Sequence, residues 1–291
     1  MKKALLVGIN DYPGSGNDLA GCVNDTANIK DLLAREFGFD PASIRVLTDA
    51  RATRDAIMDG LEAMVARASD GDTLVFHYSG HGSQVPDQDG DERSDRLDEV
   101  LCPRDFTWEG CWIRDDDLSE VFSRLPKGVH LEVLLDSCHS GTGTREIALG
   151  RRAAPLEAGI AAPLSAHRRT ARIRFLQPPP RVVERFGAAM RSAVPASRIG
   201  TLVRAKPRGL NHVLWAACQS SQYSADAEIG GSPNGAFTWF FCETARAAAK
   251  GSTRAELLDR IRKGLRADGF DQTPQLECGA SARIGKLLAA G

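Results

Sequence analysis

No stretch of this 291-residue sequence is apolar for long enough to cross a bilayer, so nothing in it predicts a membrane-spanning helix. The apolar start, "MKKALLVGIND", is too short for a secretory leader and runs directly into polar residues, so it reads as a strand. An excess of charge is also lacking. Lys and Arg number 37 and Asp and Glu 38, a net charge of −1, so no global field draws the chain to nucleic acid or to a membrane surface. The seven cysteines are odd in number and show neither a CxxC pair nor a regular metal-ligand spacing. That excludes a disulfide framework and predicts reduced thiols in a cytoplasmic protein. Neither GxxxxGK[ST] nor GxGxxG occurs, which removes a phosphate cradle, and the glycine-rich "IGGSPNGAFT" reads as a turn before a helix. What is left is a soluble chain with ample apolar content for a core, in one or two domains.

The charge is balanced overall but not locally. Between Arg145 and Leu210 there are 14 Lys or Arg and only three Asp or Glu, in a stretch containing "RRAAP", "HRRTARIR" and "QPPPR". Proline and arginine runs of this kind predict an exposed insert. It divides one domain into a first part, 1–144, the insert, 145–210, and a last part, 211–291. The only aromatics in the insert are Phe175 and Phe186, too few for the stacking platforms of a nucleic-acid surface.

On either side of the insert the pattern is regular. "KALLVGI", "SIRVLTD", "DTLVFHYSG", "HLEVLLDS" and "NHVLWAAC" read as strands. Helical spacing marks "DLAGCVNDTANIKDLLAREFGF", "TRDAIMDGLEAMVARA" with Thr53 as N-cap, "LSEVFSRL", "GAFTWFFCETARAAA" and "TRAELLDRIRKGLRA". Near-continuous apolar strands alternating with helices predict an α/β fold, a mostly parallel sheet covered on both faces. In such sheets ligands bind at the carboxyl ends of the strands.

Two strand ends carry chemistry. "FHYSGHGSQ" ends on His81 between glycines, and "VLLDSCHSG" ends on Cys138, 57 residues later. Neighbouring parallel strands would bring both tips to one edge. A thiol becomes a strong nucleophile near neutral pH only beside a base or an imidazolium. The bare backbone at Gly82 permits close approach, and its N–H, with that of Cys138, can stabilise an oxyanion. Either residue alone would read as core; the pair at two Gly/Ser-rich tips reads as a catalytic dyad. Asp136 stands two before Cys138 and Ser79 two before His81, so in extended chain each points the same way as its partner. His77 reads as packed and His139 as structural.

"YSGHGSQ", "DEVLCPRDF", "DDDL", "DSCHSG" and "QTPQL" together resemble the metacaspases, in particular the prokaryotic members called orthocaspases. The resemblance covers 2–144 and 211–288. It implies a caspase-hemoglobinase fold, a three-layer α/β/α sandwich. It also implies a cysteine endopeptidase with His81 as general base and Cys138 as nucleophile, acting on protein and peptide substrates after Arg or Lys. The S1 pocket it implies is lined by Cys22 and Asp25, with Ser79 and Asp136 beside them. Two carboxylates in a narrow pocket bind a guanidinium or ammonium group and repel an acidic P1. The chemistry requires no cofactor. Calcium enters as an activator at Asp98, Asp115 and Asp116, next to "PDQDGDERSDRLDE", which is not an EF-hand loop. Where the family places a fourth ligand this sequence has "GTGTRE", with Arg145 near that position, a departure that counts against the site. A basic insert beside a pocket for Arg suggests self-cleavage, with Arg145, Arg151, Arg152, Arg168 and Arg169 as candidate sites. The family implies a monomer. The competing readings are a gingipain- or legumain-like peptidase with the same dyad, and a non-catalytic scaffold on the same fold.

Overall fold

The near-continuous apolar runs form the centre of the molecule. In the computed structural model, which describes residues 1–86, 97–138, 171–192, 211–219, 222–248 and 251–288, β1 (Lys2–Gly8), β2 (Ile44–Thr48), β3 (Thr73–Ser79), β7 (His130–Asp136), β9 (Val213–Ala216) and β12 (Gln275–Glu277) make one six-stranded sheet. Its order is β12-β9-β7-β3-β1-β2, and every pairing is parallel except that of β12 with β9. Residues alternate between the two faces, as strand geometry requires. Leu5, Val7, Leu74 and Phe76 pack with α2 (Arg54–Ala66) and α3 (Asp115–Ser123). Ala4, Leu6, Val75 and Trp215 pack with α1 (Cys22–Phe37), α5 (Ala236–Ala247) and α6 (Arg254–Ala267). The result is the expected three-layer sandwich. No described helix is long and apolar enough to cross a membrane.

The helix ends are fixed by identifiable groups. Thr53 caps α2 by accepting from the Ala56 amide, and Thr253 and Glu256 form a capping box on α6. The N-terminus of α1 has no cap of its own. Asn10, just beyond β1, accepts from the Cys22 and Val23 amides instead, which ties the start of α1 to the carboxyl edge of the sheet.

Two small sheets extend that edge. One is β4 (Gly82–Pro86), β5 (Leu97–Leu101) and β6 (Ile113–Arg114); the other is β11 (Ser232–Gly235), β10 (Ala225–Ile229) and β8 (Arg172–Ile173). Strand β8 belongs to the basic insert. So does α4 (Pro180–Ser192), whose Val182 and Phe186 are buried against Val85 and Val100, with Trp108 and Trp112 packed alongside. The expectation of an exposed insert is therefore corrected for residues 171–192. Phe175 and Leu176 are under 10% exposed and Arg174 is fully buried. A short apolar stretch, "FLQPPPRVVERF", overrides the basic composition around it.

Candidate active site

Parallel pairing of β3 with β7 sets Ser79 opposite Asp136, so the tips carrying His81 and Cys138 lie side by side as the spacing implied. The chain leaves β3 through Gly80, where a Cβ would lie 2.5 Å from the Tyr12 hydroxyl. That hydroxyl accepts the His81 amide at 2.8 Å, and the Tyr78 hydroxyl donates to the His81 carbonyl at 2.8 Å. The imidazole lies edge-on to Tyr12, with Nε2 2.7 Å from the Asn17 carbonyl. Asn17 thus orients the ring, a role no residue was assigned from sequence, because a backbone carbonyl leaves no signature. Burial, above all, lowers the His81 pKa to about 4, so the ring is a neutral base.

The Cys138 thiol is buried, held between the amide and carbonyl of Ser224. Cys218, not singled out in the sequence, lies beside it. A hydrogen bond to Cys138, then burial, pushes the Cys218 thiol up, so it stays protonated.

The oxyanion donors read from sequence converge on one atom. The Gly82 and Cys138 amides both donate to the carbonyl oxygen of Arg174, at 3.0 and 3.2 Å. The Arg174 side chain enters the pocket behind them. Its Nη2 lies 2.8 Å from Asp25 Oδ2 and 3.0 Å from Asp226 Oδ1; its Nη1 lies 2.6 Å from Ser79 Oγ and 3.3 Å from Asp136 Oδ2. Burial opposes the guanidinium charge, but Asp136, Asp25 and Asp226 outweigh it and hold the pKa well above its ordinary value. Burial also raises Asp25 to about 6, Arg174 pulling it back and Asp136 pushing it further.

The pocket walls come from five elements, α1, β3, β7, β10 and β11. Asp25 and Cys22 sit in the first turn of α1, Ser79 ends β3, and Asp136 ends β7. Asp136 is fixed by the Ser224 hydroxyl and by the amide and hydroxyl of Thr238. Below it, His77 reaches Thr238 at 3.4 Å and is packed, as expected. Cys22 is fully buried, and burial keeps its thiol protonated. Two parts of the wall were not legible. Asp226 on β10 accepts from the Ala20 and Gly21 amides as well as from Arg174. Gly235 donates its amide to Asp25, and a Cβ there would lie 2.4 Å from Asp136 Oδ2 and 2.6 Å from Arg174 Nη1. Only a glycine leaves room for the guanidinium.

The expected calcium ligands lie elsewhere, Asp98 on β5 and Asp115 and Asp116 in the first turn of α3. A side chain already stands among them: Arg114 Nη1 is 3.8 Å from Asp98 and 3.6 Å from Asp116, and its Nη2 is 3.3 Å from Asp117. Among the described residues no three His, Cys, Asp or Glu groups are placed to hold a metal, and residues 87–96 of the acidic loop lie outside the described residues. Arg145, Arg151, Arg152, Arg168, Arg169 and His139 lie outside the described residues.

A neutral imidazole and a thiol at adjacent strand tips, two amides on one carbonyl oxygen and an acidic pocket behind it define a cysteine hydrolase of the caspase type. The metacaspase peptidase C14 domain family matches residues 2–145. Metacaspase-1A of Aspergillus fumigatus is 34% identical over 95% of this chain and 68% of its own length. Metacaspase-1 of Cryptococcus neoformans is 35% identical over 94% of this chain and 62% of its own length. The chain belongs to the metacaspase family of cysteine-type endopeptidases, which removes the gingipain- and legumain-like readings. These relatives are fungal and do not assign it to the prokaryotic branch. Among solved structures, protein GSU0716 from Geobacter sulfurreducens covers 99% of this chain and 98% of its own with a TM-score of 0.67 at 22% identity. Caspase-1 from Spodoptera frugiperda covers 95% and 86% with a TM-score of 0.57 at 13% identity. Both share the fold.

Proposed function

We propose that this metacaspase cleaves protein chains after Arg or Lys, and that its first substrate is its own Arg174–Phe175 bond. The observation carrying this reading is Arg174 itself, its carbonyl oxygen on two amide donors and its guanidinium among three buried carboxylates. Three negative charges around one cation leave the pocket strongly acidic, which favours a cationic P1 and excludes Asp or Glu. His81 accepts the Cys138 proton and the thiolate attacks the Arg carbonyl. The oxyanion is held by the Gly82 and Cys138 amides. His81 then protonates the departing amine, and a water deprotonated by His81 releases the acyl-enzyme.

In this reading the insert fills the cleft until it is cut, and Arg174 takes the place of the five arginines favoured by composition. Catalysis uses protein groups alone, and calcium is assigned no step. All seven cysteines are unpaired, which supports a reducing, cytoplasmic setting. A monomer is supported by the outer strand β12, whose three residues offer a short edge for pairing between copies.

The test is release of a fluorophore from Arg-, Lys- and Asp-terminated peptides, with calcium and with chelator, alongside fragment sequencing of wild type and Cys138→Ala. Cleavage after Arg or Lys and a new N-terminus at Phe175, both absent from Cys138→Ala, are expected. Cleavage after Asp, or a mutant cut like wild type, would refute the proposal.

A further inference from the structure

The chain crosses the active site from one small sheet to the other. Upstream of Arg174, Ile173 pairs with Ala225 and Arg172 with Asp226, antiparallel to β10, and the Arg174 amide donates to Ser224. Downstream, the chain runs parallel to β4. Phe175 bridges to Gly82, the Leu176 amide donates to the Gly82 carbonyl at 2.9 Å, and the Ser83 hydroxyl donates to the Leu176 carbonyl at 2.9 Å. Ser83 is fully buried, and through this bond its hydroxyl reaches the segment crossing the cleft. Phe175 lies 6.4 Å from the Tyr223 ring, and Leu176 joins the core on the α2–α3 side of the sheet.

The contacts downstream of Arg174 are not needed to hold the Arg or to stabilise the oxyanion. They read the two residues after the scissile bond. We propose that β4 is a primed-side recognition strand, selecting substrates with a large apolar residue at P1′ and P2′, and that Ser83 is a specificity residue reading the P2′ carbonyl. The Gly82 amide and carbonyl both face the crossing segment, so one residue holds the P1 oxygen and the P2′ amide together. A substrate aligned for the oxyanion hole is thereby aligned on β4. Polar or charged residues at P1′ and P2′ would be desolvated without partners, which disfavours them. The inference rests on reading Arg174 as a substrate P1 residue, and it names the substrate class more narrowly: an Arg followed by an aromatic or aliphatic pair.

The test uses the full chain carrying Arg174→Gln and Leu176→Glu, two changes that loosen the covering segment and leave every residue of the cleft wall unaltered. Two quenched-fluorescence peptides share the sequence Ala-Ile-Arg and differ after it, one continuing Phe-Leu and the other Asp-Asp. A third substrate ends in a coumarin directly after Arg. The Phe-Leu peptide is expected to show a kcat/KM at least tenfold above that of Asp-Asp. Replacing P2′ Leu by N-methyl-leucine, which removes the N–H given to Gly82, should cost about tenfold, mostly in KM. Adding Ser83→Ala should lower the ratio of Phe-Leu peptide to coumarin substrate by about tenfold. Equal rates for Phe-Leu and Asp-Asp, or a ratio unmoved by both N-methylation and Ser83→Ala, would overturn the inference while leaving Arg specificity standing. Binding of the same peptides to the Cys138→Ala form of this variant gives the answer without turnover. If Arg peptides neither bind nor react while peptides with another P1 do, the Arg reading fails and this inference with it.

Discussion

Arg174 binds through four groups, and each carries a different share of the selectivity. Asp25 and Asp136 were expected to do this; Asp226 was not. Asp226 has two tasks, since the Ala20 and Gly21 amides also bond to it and hold the approach to α1. Asp226→Asn keeps the shape and one oxygen but removes a charge about 3.0 Å from the guanidinium. Loss of a charged hydrogen bond of about 1.5–3 kcal/mol should lower kcat/KM for Arg substrates roughly 10–100-fold. A variant that melts at a lower temperature yet keeps wild-type kcat/KM would make Asp226 structural only. Gly235→Ala should go further, because its methyl would occupy the space of the guanidinium; neither self-cleavage nor Arg-peptide cleavage is expected. The base gives a separate test. With the insert seated, burial holds His81 at about 4, so it stays neutral and able to accept a proton as pH falls from 7 towards 4. The first-order rate of self-cleavage should therefore keep its His81 limb near pH 4. For peptides cleaved by the loosened double variant, kcat/KM reports the free enzyme, whose imidazole is better solvated, so that limb should move to higher pH. Coincident limbs in the two profiles would show that burial by the insert does not control the base.

Five of the six strands of the main sheet were legible because each is an apolar run bounded by turn residues; β12, the three residues "QLE", carries no such run and was not. The dyad was legible because His81 and Cys138 each follow such a run. The smaller sheets were not. "GSQVP" and "SADAEIGGSPNG" lack apolar alternation, and they fold as strands because the carboxyl edge of the main sheet and the segment crossing it supply their partners. Asp226, Gly235 and Ser83 all lie in such stretches and were missed together. Arg174 was hidden by its surroundings: it is one of 14 basic residues in the insert, and its burial depends on carboxylates at positions 25, 136 and 226. No local pattern reports a contact of that range. Helix α4 was missed because "QPPPRVVERF" reads as a linker, although Pro180 opens the helix, a position where a missing N–H costs nothing. Its attachment is apolar. Phe186→Ala should cost a few kcal/mol of packing against Val85, Val100 and Trp108. In the absence of that anchor Phe175 and Leu176 should leave β4 more readily, and intact chain should hydrolyse Arg peptides faster than wild-type intact chain. Unchanged hydrolysis by the intact variant would mean that α4 does not hold the segment in the cleft.

At the scale of the whole molecule, a cut at Arg174–Phe175 divides the sequence without dividing the sheet. Strand β7 comes from before the cut and β9 from after it, and they pair in parallel from Glu132 with Val213 to Leu135 with Ala216. A buried ionic network reinforces the seam. Glu132 accepts from Trp215 Nε1 at 2.7 Å and from Arg254 Nε and Nη2 at 2.9 and 2.8 Å, and Glu132 and Arg254 are at most 1% exposed. The two fragments should therefore co-elute as one particle of unchanged size in gel filtration and separate only on denaturation. Glu132→Gln leaves the Arg254 guanidinium buried without its counter-charge, so unfolding free energy should fall by about 3–5 kcal/mol, in the cut protein as in the intact one. Burial alone would raise the Glu132 carboxyl, but hydrogen bonds from His130 and Arg254 outweigh it and hold it below the ordinary value of 4.5. A carboxyl lowered on folding stabilises the fold above its unfolded pKa, and that contribution is lost as pH falls through the folded pKa. Wild type and Glu132→Gln should thus differ most in denaturation midpoint at neutral pH and converge below about pH 4. A difference that stays constant across that range would assign the loss to packing instead of charge, and the seam would then rest on strand pairing alone.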